Sequence, residues 1–253
     1  SILTPIYNEE ESIPELIPAI SQVMNKLGKP WELVAVNDGS KDNSVAVLKK
    51  WQLKCPQLRI VEFRRNYGQT AAMQAGFDHA QGDIWITLDA DLQNDPNDIP
   101  RLIEAMKKEN ADVVSGWRHK RQDAKLSVTW PSKIGNKVIG SITVVELHDY
   151  GCTLKAYRAD AIREMRIYGE LHRFIPAVAA QYGAKVIELP VEHHARKYGV
   201  SKYGLDKTFR VILDLLAVKF FAKYLHRPIH SFVMSDLFCL FPFIASFSFL
   251  ILF

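Results

Sequence analysis

Asp83-Ile84-Trp85-Ile86-Thr87-Leu88-Asp89-Ala90-Asp91-Leu92 closes a segment that begins at Gly76, and its reading decides the fold. Residues 83–88 are β-branched and aromatic, the pattern of a buried strand. Two carboxylates, one residue apart, follow at its carboxyl end. In an open α/β sheet that edge is where ligands bind. Side chains at i and i+2 of an extended strand project to the same side. Asp89 and Asp91 are therefore expected to converge on one hard divalent cation, or on a cation and a ribose. Oxygen ligands of this kind suit Mg²⁺ or Mn²⁺ carried by a diphosphate. A bare Asp-x-Asp reads equally well as two solvated acids opening a loop, so the rest of the chain must decide.

Working outward, strand and helix patterns alternate. Strand-like runs lie at 1–7, Trp31–Asp38, Leu58–Arg65, 83–91 and Ala111–Trp117, with helical patterns at 11–26, 42–51, 70–80 and 97–109. Asp42 and Thr70 are candidate N-caps, and Asp95 with Pro96 opens the fourth helix. Gly28, Gly82 and Gly116 punctuate the breaks. Such alternation predicts an α/β fold with a mostly parallel, doubly wound sheet and helices on both faces. No G-x-G-x-x-G follows the first strand and no G-x-x-x-x-G-K-[ST] occurs, which argues against a dinucleotide site and a P-loop.

At 253 residues and 48% hydrophobic, the chain can bury a full α/β core with residues to spare. Its net charge of +4 is compatible with an anionic partner but too weak to argue for nucleic acid. Cys55, Cys152 and Cys239 are scattered without metal-ligand spacing and read as reduced thiols in a cytosolic compartment. No signal peptide opens the chain, and Ser1 already lies in a strand-like run, so a few residues are expected upstream. Residues 1–204 are expected to form the catalytic unit, with 205–228 juxtamembrane helices and 229–253 a transmembrane segment.

From Phe232 to Phe253 the one charged residue is Asp236, and a run of that length can cross the hydrocarbon core. Lys219, Lys223, His226 and Arg227 precede it and place the catalytic unit on the cytoplasmic side. Between 205 and 227 the apolar face switches sides. Phe209, Ile212, Leu213 and Leu216 oppose Lys207, Arg210 and Asp214, whereas Lys219, Lys223 and Arg227 then line nearly the face that was apolar. One straight amphipathic helix would keep a single stripe. Two short helices or a bent one are expected, the basic half lying on anionic headgroups. With further spans beyond Phe253, the expected location is the inner or plasma membrane, multi-pass. A homo-oligomer is compatible with the sequence.

The ends of the first, second and fourth strands deliver Thr4-Pro5-Ile6-Tyr7-Asn8-Glu9-Glu10, Val36-Asn37-Asp38-Gly39-Ser40 and Asp89-Ala90-Asp91-Leu92-Gln93 to one edge. Asp38 is placed to accept from a base N–H or a ribose hydroxyl, and Gly39 lets the chain turn sharply beside it. Pro5 and Tyr7 can wall a base, and Glu9 can accept from it. Together these segments resemble the inverting glycosyltransferases of family two, whose GT-A fold binds a nucleotide-sugar there.

The likeness narrows with Phe63-Arg64-Arg65-Asn66-Tyr67-Gly68-Gln69, with His148-Asp149-Tyr150-Gly151-Cys152-Thr153-Leu154-Lys155-Ala156-Tyr157-Arg158, and with Arg196-Lys197-Tyr198-Gly199-Val200-Ser201-Lys202. These look like the polyisoprenyl-phosphate glycosyltransferases, the branch of the dolichyl-phosphate mannose synthases, and most like the bacterial undecaprenyl-phosphate glucosyltransferases. The resemblance implies Asp91 and Gln93 at the metal and Asp89 and Ala90 at the nucleotide. It implies Pro5, Tyr7, Glu9, Val36 and Asp38 around base and ribose. Arg118, Arg196 and Lys202 would face the donor diphosphate and the acceptor phosphate, with Ser201 beside them. Members of the branch often carry a second arginine near Ser127-Val128-Thr129-Trp130. Here Val128 and Trp130 stand there, so either Lys133 substitutes or acceptor docking is weaker.

A phosphate monoester has a second pKa near 6, by analogy with phosphorylated side chains, and needs no base to become a nucleophile at neutral pH. What it needs is screening from an anionic donor, the work expected of Arg118, Arg196, Lys202 and the metal. Asp149 reads as sugar-orienting or electrostatic, or as a loop acid capping Gly151-Cys152. The leading expectation is inverting transfer of glucose from UDP-glucose to undecaprenyl phosphate. GDP-mannose with dolichyl phosphate is the alternative, and a non-catalytic nucleotide-sugar-binding membrane protein a third. No Q-x-x-R-W follows the Asp-x-Asp, which disfavours a processive synthase. Lys219, Lys223 and Arg227 should each add about 1 kcal/mol to binding of anionic bilayers. A chain ended at Arg227 should therefore bind liposomes more tightly as anionic lipid rises and salt falls. Binding indifferent to both would refute the interfacial helix.

Overall fold

The computed structural model describes residues 1–119, 145–169 and 171–198. Seven strands form one sheet in the order β3-β2-β1-β4-β6-β5-β7. They are β1 (Ile2–Ile6), β2 (Leu33–Asn37), β3 (Leu58–Glu62), β4 (Ile84–Thr87), β5 (Val113–Trp117), β6 (Lys155–Arg158) and β7 (Val186–Pro190). The helices are α1 (Ile13–Leu27), α2 (Ser44–Gln52), α3 (Gln69–His79), α4 (Ile99–Lys108), α5 (Ala159–Ile162) and α6 (Ile175–Gln181). Strands β1 to β4 pair in parallel and β5 pairs in parallel with β7, while β6 runs antiparallel to both of its neighbours. The expected α/β sheet is thus mixed but mostly parallel.

Helices cover both faces because the parallel strands are apolar on both sides. Ile2 and Ile6 of β1 pack with Ile13, Ile17, Leu48 and Leu102 of α1, α2 and α4. Leu3 faces the other way, onto Met73 and Phe77 of α3 and Phe174 and Ala177 at α6. There Phe77 stacks on Trp85 at 5.3 Å and meets Tyr157 edge-on at 5.9 Å.

The five expected strands and four expected helices are all present, with shifted ends. The strand expected over 83–91 stops at Thr87, so Asp89 and Asp91 lie in the bend beyond it, where Leu92 takes φ 60°. The last ladder contact is Leu88 N–H to Leu3 O at 3.0 Å, after which β1 turns away. The carboxylate of Asp42 accepts from Ser44 N–H at 3.0 Å, a capping contact from the residue before the N-cap Asn43, and Asp95 accepts from Asn97 N–H at 2.8 Å. Thr70 is not a cap. It lies inside α3, and its hydroxyl is bonded to His172 Nδ1 at 2.6 Å. Gly116 is no break either, since it sits within β5, where a Cβ would lie 2.6 Å from Leu154 O and 2.9 Å from Cys152 Sγ. Its bareness lets the 152–154 segment lie against β5.

Among the described residues no helix is long and apolar enough to cross a membrane. The segments 205–228 and 229–253 lie outside them, as do Lys133, Ser201 and Lys202.

Lys155, at the start of β6, is 2% exposed, and its ammonium donates to Tyr150 O at 3.2 Å and to Cys152 O. Burial lowers its pKa from 10.5 to about 8, with Arg118 adding repulsion against the attraction of Cys152, Asp149 and Asp89. Between those two values the unfolded chain binds more protons than the folded one, so stability gains as pH rises. Relative to Lys155→Met, wild type should gain up to about 1.4 kcal/mol per pH unit across that window, read by urea unfolding at stepped pH. A flat difference would mean that the ammonium is not desolvated. Gly39 makes a second prediction. It holds φ 64°, and a Cβ there would lie 2.3 Å from Arg65 C and 2.5 Å from Asn66 N. Gly39→Ala should cost at least about 2 kcal/mol in the same assay, combining backbone strain and collision.

Candidate active site

The strand order reverses between β1 and β4, and the crevice at such a switch point is where open α/β sheets bind ligands. The carboxyl ends of β1, β2 and β4 bring Tyr7–Glu9, Asp38–Ser40 and Asp89–Gln93 to that edge. Because β6 is antiparallel, its amino end arrives there too and carries the loop 149–154. The carboxyl ends of β5 and β7 add Arg118 and the segment 191–198.

Asp38 is 3% exposed. Its carboxylate accepts from Tyr67 N–H at 2.7 Å, Gly68 N–H at 2.9 Å and Asn66 Nδ2 at 2.8 Å. Burial raises its pKa while these backbone donors pull it down. Asp38 thus fixes the loop 66–68 against the edge, and Gly39 is bare because that loop crosses it. Glu9 accepts from Ser12 Oγ at 2.8 Å at the start of α1, and its own N–H reaches Ser44 Oγ at 2.9 Å. Pro5 and Tyr7 are half-buried on the rim, whereas Val36 is 1% exposed and packs in the core with Leu3 and Val34.

Asp89 accepts from Gln69 Nε2 at 2.8 Å. Burial raises its pKa well above the carboxylate range, and the neighbouring Asp91 charge adds to the shift. Ala90, between them, is buried at 3%. Asp91 is 9% exposed and holds Arg196 at 2.6 Å, while its other oxygen accepts from Gln93 N–H at 3.2 Å. Arg118 and Asp149 form a two-pronged pair, Nε to Oδ2 at 2.6 Å and NH2 to Oδ1 at 2.9 Å. Asp149 Oδ1 also accepts from Gly151 N–H at 3.0 Å, so the capping role is real. Glu188 of β7 orients this loop, accepting from Asp149 N–H at 2.9 Å and from His148 N–H at 3.0 Å.

Five of the expected residues therefore meet as three contacts at one edge: Asp89 beside Asp91, Asp91 on Arg196, and Arg118 on Asp149. Sequence reasoning missed Gln69, Lys155, His172 and Glu188 as site-builders. Gln69 and Lys155 lie in quoted motifs, yet nothing in their spacing showed what they would touch. Among the described residues no three His, Cys, Asp or Glu side chains converge to hold a metal unaided. What fits a divalent cation is the oxygen chemistry of Asp91 and the side-chain amide of Gln93, with Arg196 already seated there as a positive charge. Two protein ligands with a diphosphate and water is the usual complement for Mg²⁺.

Comparison with known proteins bears on the family and the fold. The model of the glycosyl transferase family 2 matches residues 1–166. The dodecaprenyl-phosphate galacturonate synthase of Rhizobium johnstonii is 48% identical over 235 residues, covering 92% of this chain and 70% of that protein. The undecaprenyl-phosphate 4-deoxy-4-formamido-L-arabinose transferase of Shewanella sediminis is 42% identical over 218 residues, covering 85% and 65%. Among solved structures, glucosyl-3-phosphoglycerate synthase of Mycobacterium tuberculosis with Mn²⁺, UDP and phosphoglyceric acid aligns with TM-score 0.65 at 17% identity, over 86% of this chain and 77% of that one. A mannosyltransferase of Pyrobaculum calidifontis with GDP-Man and Mn²⁺ aligns with TM-score 0.56 at 19% identity, over 87% and 62%. The two structures speak for the fold. With two thirds of its length under the family model and nearly half its residues shared with one relative, the chain belongs to glycosyl transferase family 2.

Proposed function

We propose that this chain transfers a sugar from a nucleotide-sugar to a polyprenyl phosphate at a membrane, with inversion at the anomeric carbon. The observation that carries the reading is the commitment of Asp149 to Arg118 through both oxygens. A hydroxyl acceptor would need a side chain to take its proton. A phosphate monoester does not, and an acid already spent on an arginine suits that acceptor. The names of the relatives at 48% and 42% identity, both polyprenyl-phosphate sugar transferases, support the same class.

In this reading the loop 66–68, held by Asp38, and the rim of Pro5, Tyr7 and Glu9 receive base and ribose. The backbone of Val36 and Ala90 lies beneath. Asp89, held by Gln69, is placed to bond sugar hydroxyls. Asp91 and Gln93 would hold Mg²⁺ or Mn²⁺, which when bound neutralises the donor diphosphate and stabilises it as it leaves. Arg196 lies beside that position and Arg118 across from it. Both are placed to screen the approaching phosphate from the departing one. Lys133, Ser201 and Lys202 are assigned to the acceptor phosphate, and 205–228 with 229–253 to the bilayer, on the sequence alone.

The donor is read as a UDP-linked hexose or a derivative of one. Glucose rests on sequence resemblance, whereas galacturonate and 4-deoxy-4-formamido-L-arabinose in the relatives' names favour a modified sugar. The deciding experiment follows transfer from UDP-sugars to a short prenyl phosphate in detergent, against pH, for wild type, Asp149→Asn and Arg196→Ala. With a phosphate acceptor, Asp149→Asn should lose about tenfold, below the 10²–10⁴-fold typical of a general base. Arg196→Ala should lose more, because it leaves two anions unscreened. A dead Asp149→Asn beside a near-normal Arg196→Ala would make the acceptor a hydroxyl and sink the proposal.

A further inference from the structure

The proposed mechanism uses Arg196 but gives its neighbours Lys197 and Tyr198 no task. Their segment leaves β7 and runs along the catalytic edge. Its first half is pinned through backbone amides: Glu192 N–H donates to Asp98 at 2.7 Å and His194 N–H to Gln93 O at 2.8 Å. From residue 195 onward the ties change in kind. Among the described residues, 195–198 make no backbone–backbone hydrogen bond, and side chains hold them instead. Arg196 donates to Asp91 Oδ2 at 2.6 Å. Lys197 Nζ reaches both carboxylate oxygens of Glu15 at 2.7 Å, and the Tyr198 hydroxyl donates to Glu15 Oε1 at 2.5 Å. The Lys197 ammonium also lies 5.3 Å from the centroid of the Tyr198 ring.

The fold places Glu15 for this contact. Helix α1 begins at Ile13, just after the segment that carries Tyr7 and Glu9, so its first turn stands at the catalytic edge. Glu15 is the acid of that turn, where the unpaired N–H groups of a helix favour negative charge. Its bonds from Lys197 and Tyr198 hold the carboxyl below its ordinary value. An exposed ion pair of this kind contributes little to stability. What it supplies is a restraint. Two adjacent side chains converge on one carboxylate immediately after Arg196, so the segment is fastened on both sides of the arginine: at Gln93 through His194, and at α1 through Lys197 and Tyr198.

We infer that Glu15 is a positioning residue: it fastens Lys197 and Tyr198 to α1, so that Arg196 stays at the edge when it exchanges Asp91 for the donor's diphosphate. The inference rests on the nucleotide-sugar reading above and adds to that site a residue that lies outside it. Once Asp91 serves a divalent cation, its charge no longer holds Arg196, which has to change partners. On a loose segment the freed guanidinium would swing into water. On a fastened one it turns to a diphosphate oxygen close by, and a segment already held loses less freedom when the ligand binds. An arginine suits the exchange, because its planar fork matches carboxylate and phosphate alike.

The test is a double-mutant cycle on binding, read by calorimetry on the full chain in detergent with Mn²⁺ and no acceptor. Wild type is titrated with UDP and with GDP, and the tighter of the two is used throughout. Glu15→Ala should weaken that binding about fivefold, the upper scale of an exposed ion pair. In an Arg196→Ala background the same change should cost nothing further, because a residue that acts through Arg196 has no effect once Arg196 is gone. Glu15→Gln, which can still accept from Lys197 and Tyr198, should lose less than Glu15→Ala. A merely structural Glu15 would instead give equal losses in both backgrounds. That result, or unchanged affinity in Glu15→Ala, would overturn the assignment while leaving the donor site standing. Failure of wild type to bind either diphosphate would sink the nucleotide-sugar reading, and this inference with it.

Discussion

The pairing of β6 antiparallel between β4 and β5 is the constraint on which the site depends. Thr87 opposes Lys155 on one side and Ser115 opposes it on the other. A parallel strand would have presented its carboxyl end here. The antiparallel one presents its amino end, preceded by the loop that carries Asp149, Gly151 and Thr153. Lys155 then secures that loop from beneath by two carbonyls, and Glu188 secures it from the side through the amides of 148 and 149. The acidic edge made by β1, β2 and β4 thereby gains a facing wall.

Charge matching is the second organising feature. Placing Asp38, Asp89, Asp91 and Asp149 within one crevice would be costly if all were ionised and unpaired. The structure resolves this in three ways. Asp38 is satisfied by backbone and amide donors, and Asp91 and Asp149 by arginines. Asp89 is pushed toward protonation by burial and by Asp91. A ligand bearing a diphosphate and a cation can enter by exchanging partners within this set. In the proposed function Arg196, seated on Asp91, would give way to such a cation.

Much of this was legible in the residues. The strand 84–87 and its trailing acids were visible because β-branched and aromatic runs bounded by turn residues leave little else to form. The β1–β4 half and its helices followed from alternation. The second half was harder. Residues 155–190 hold β6 and β7 in short runs of four and five residues, separated by two short helices and a 3₁₀ turn, and no single periodicity marks them. Thr70 was misread as a cap because a threonine before an apolar run looks like one, whereas its hydroxyl is claimed by His172, 102 residues away. Gly116 was misread as a break because the close approach of Leu154 to β5 is a tertiary fact.

Sequence by itself determined the chemistry available: which acids follow which strands, where the glycines free the backbone, and which motifs mark family 2. These are local properties, written in residue type and spacing. Tertiary structure alone decided how that chemistry is partnered. It set Arg118 on Asp149 across 31 residues, Arg196 on Asp91 across 105 and His172 on Thr70 across 102. The reason is physical. Pairing energy depends on distance and desolvation, and both are fixed only when the sheet closes and brings remote segments to a common edge.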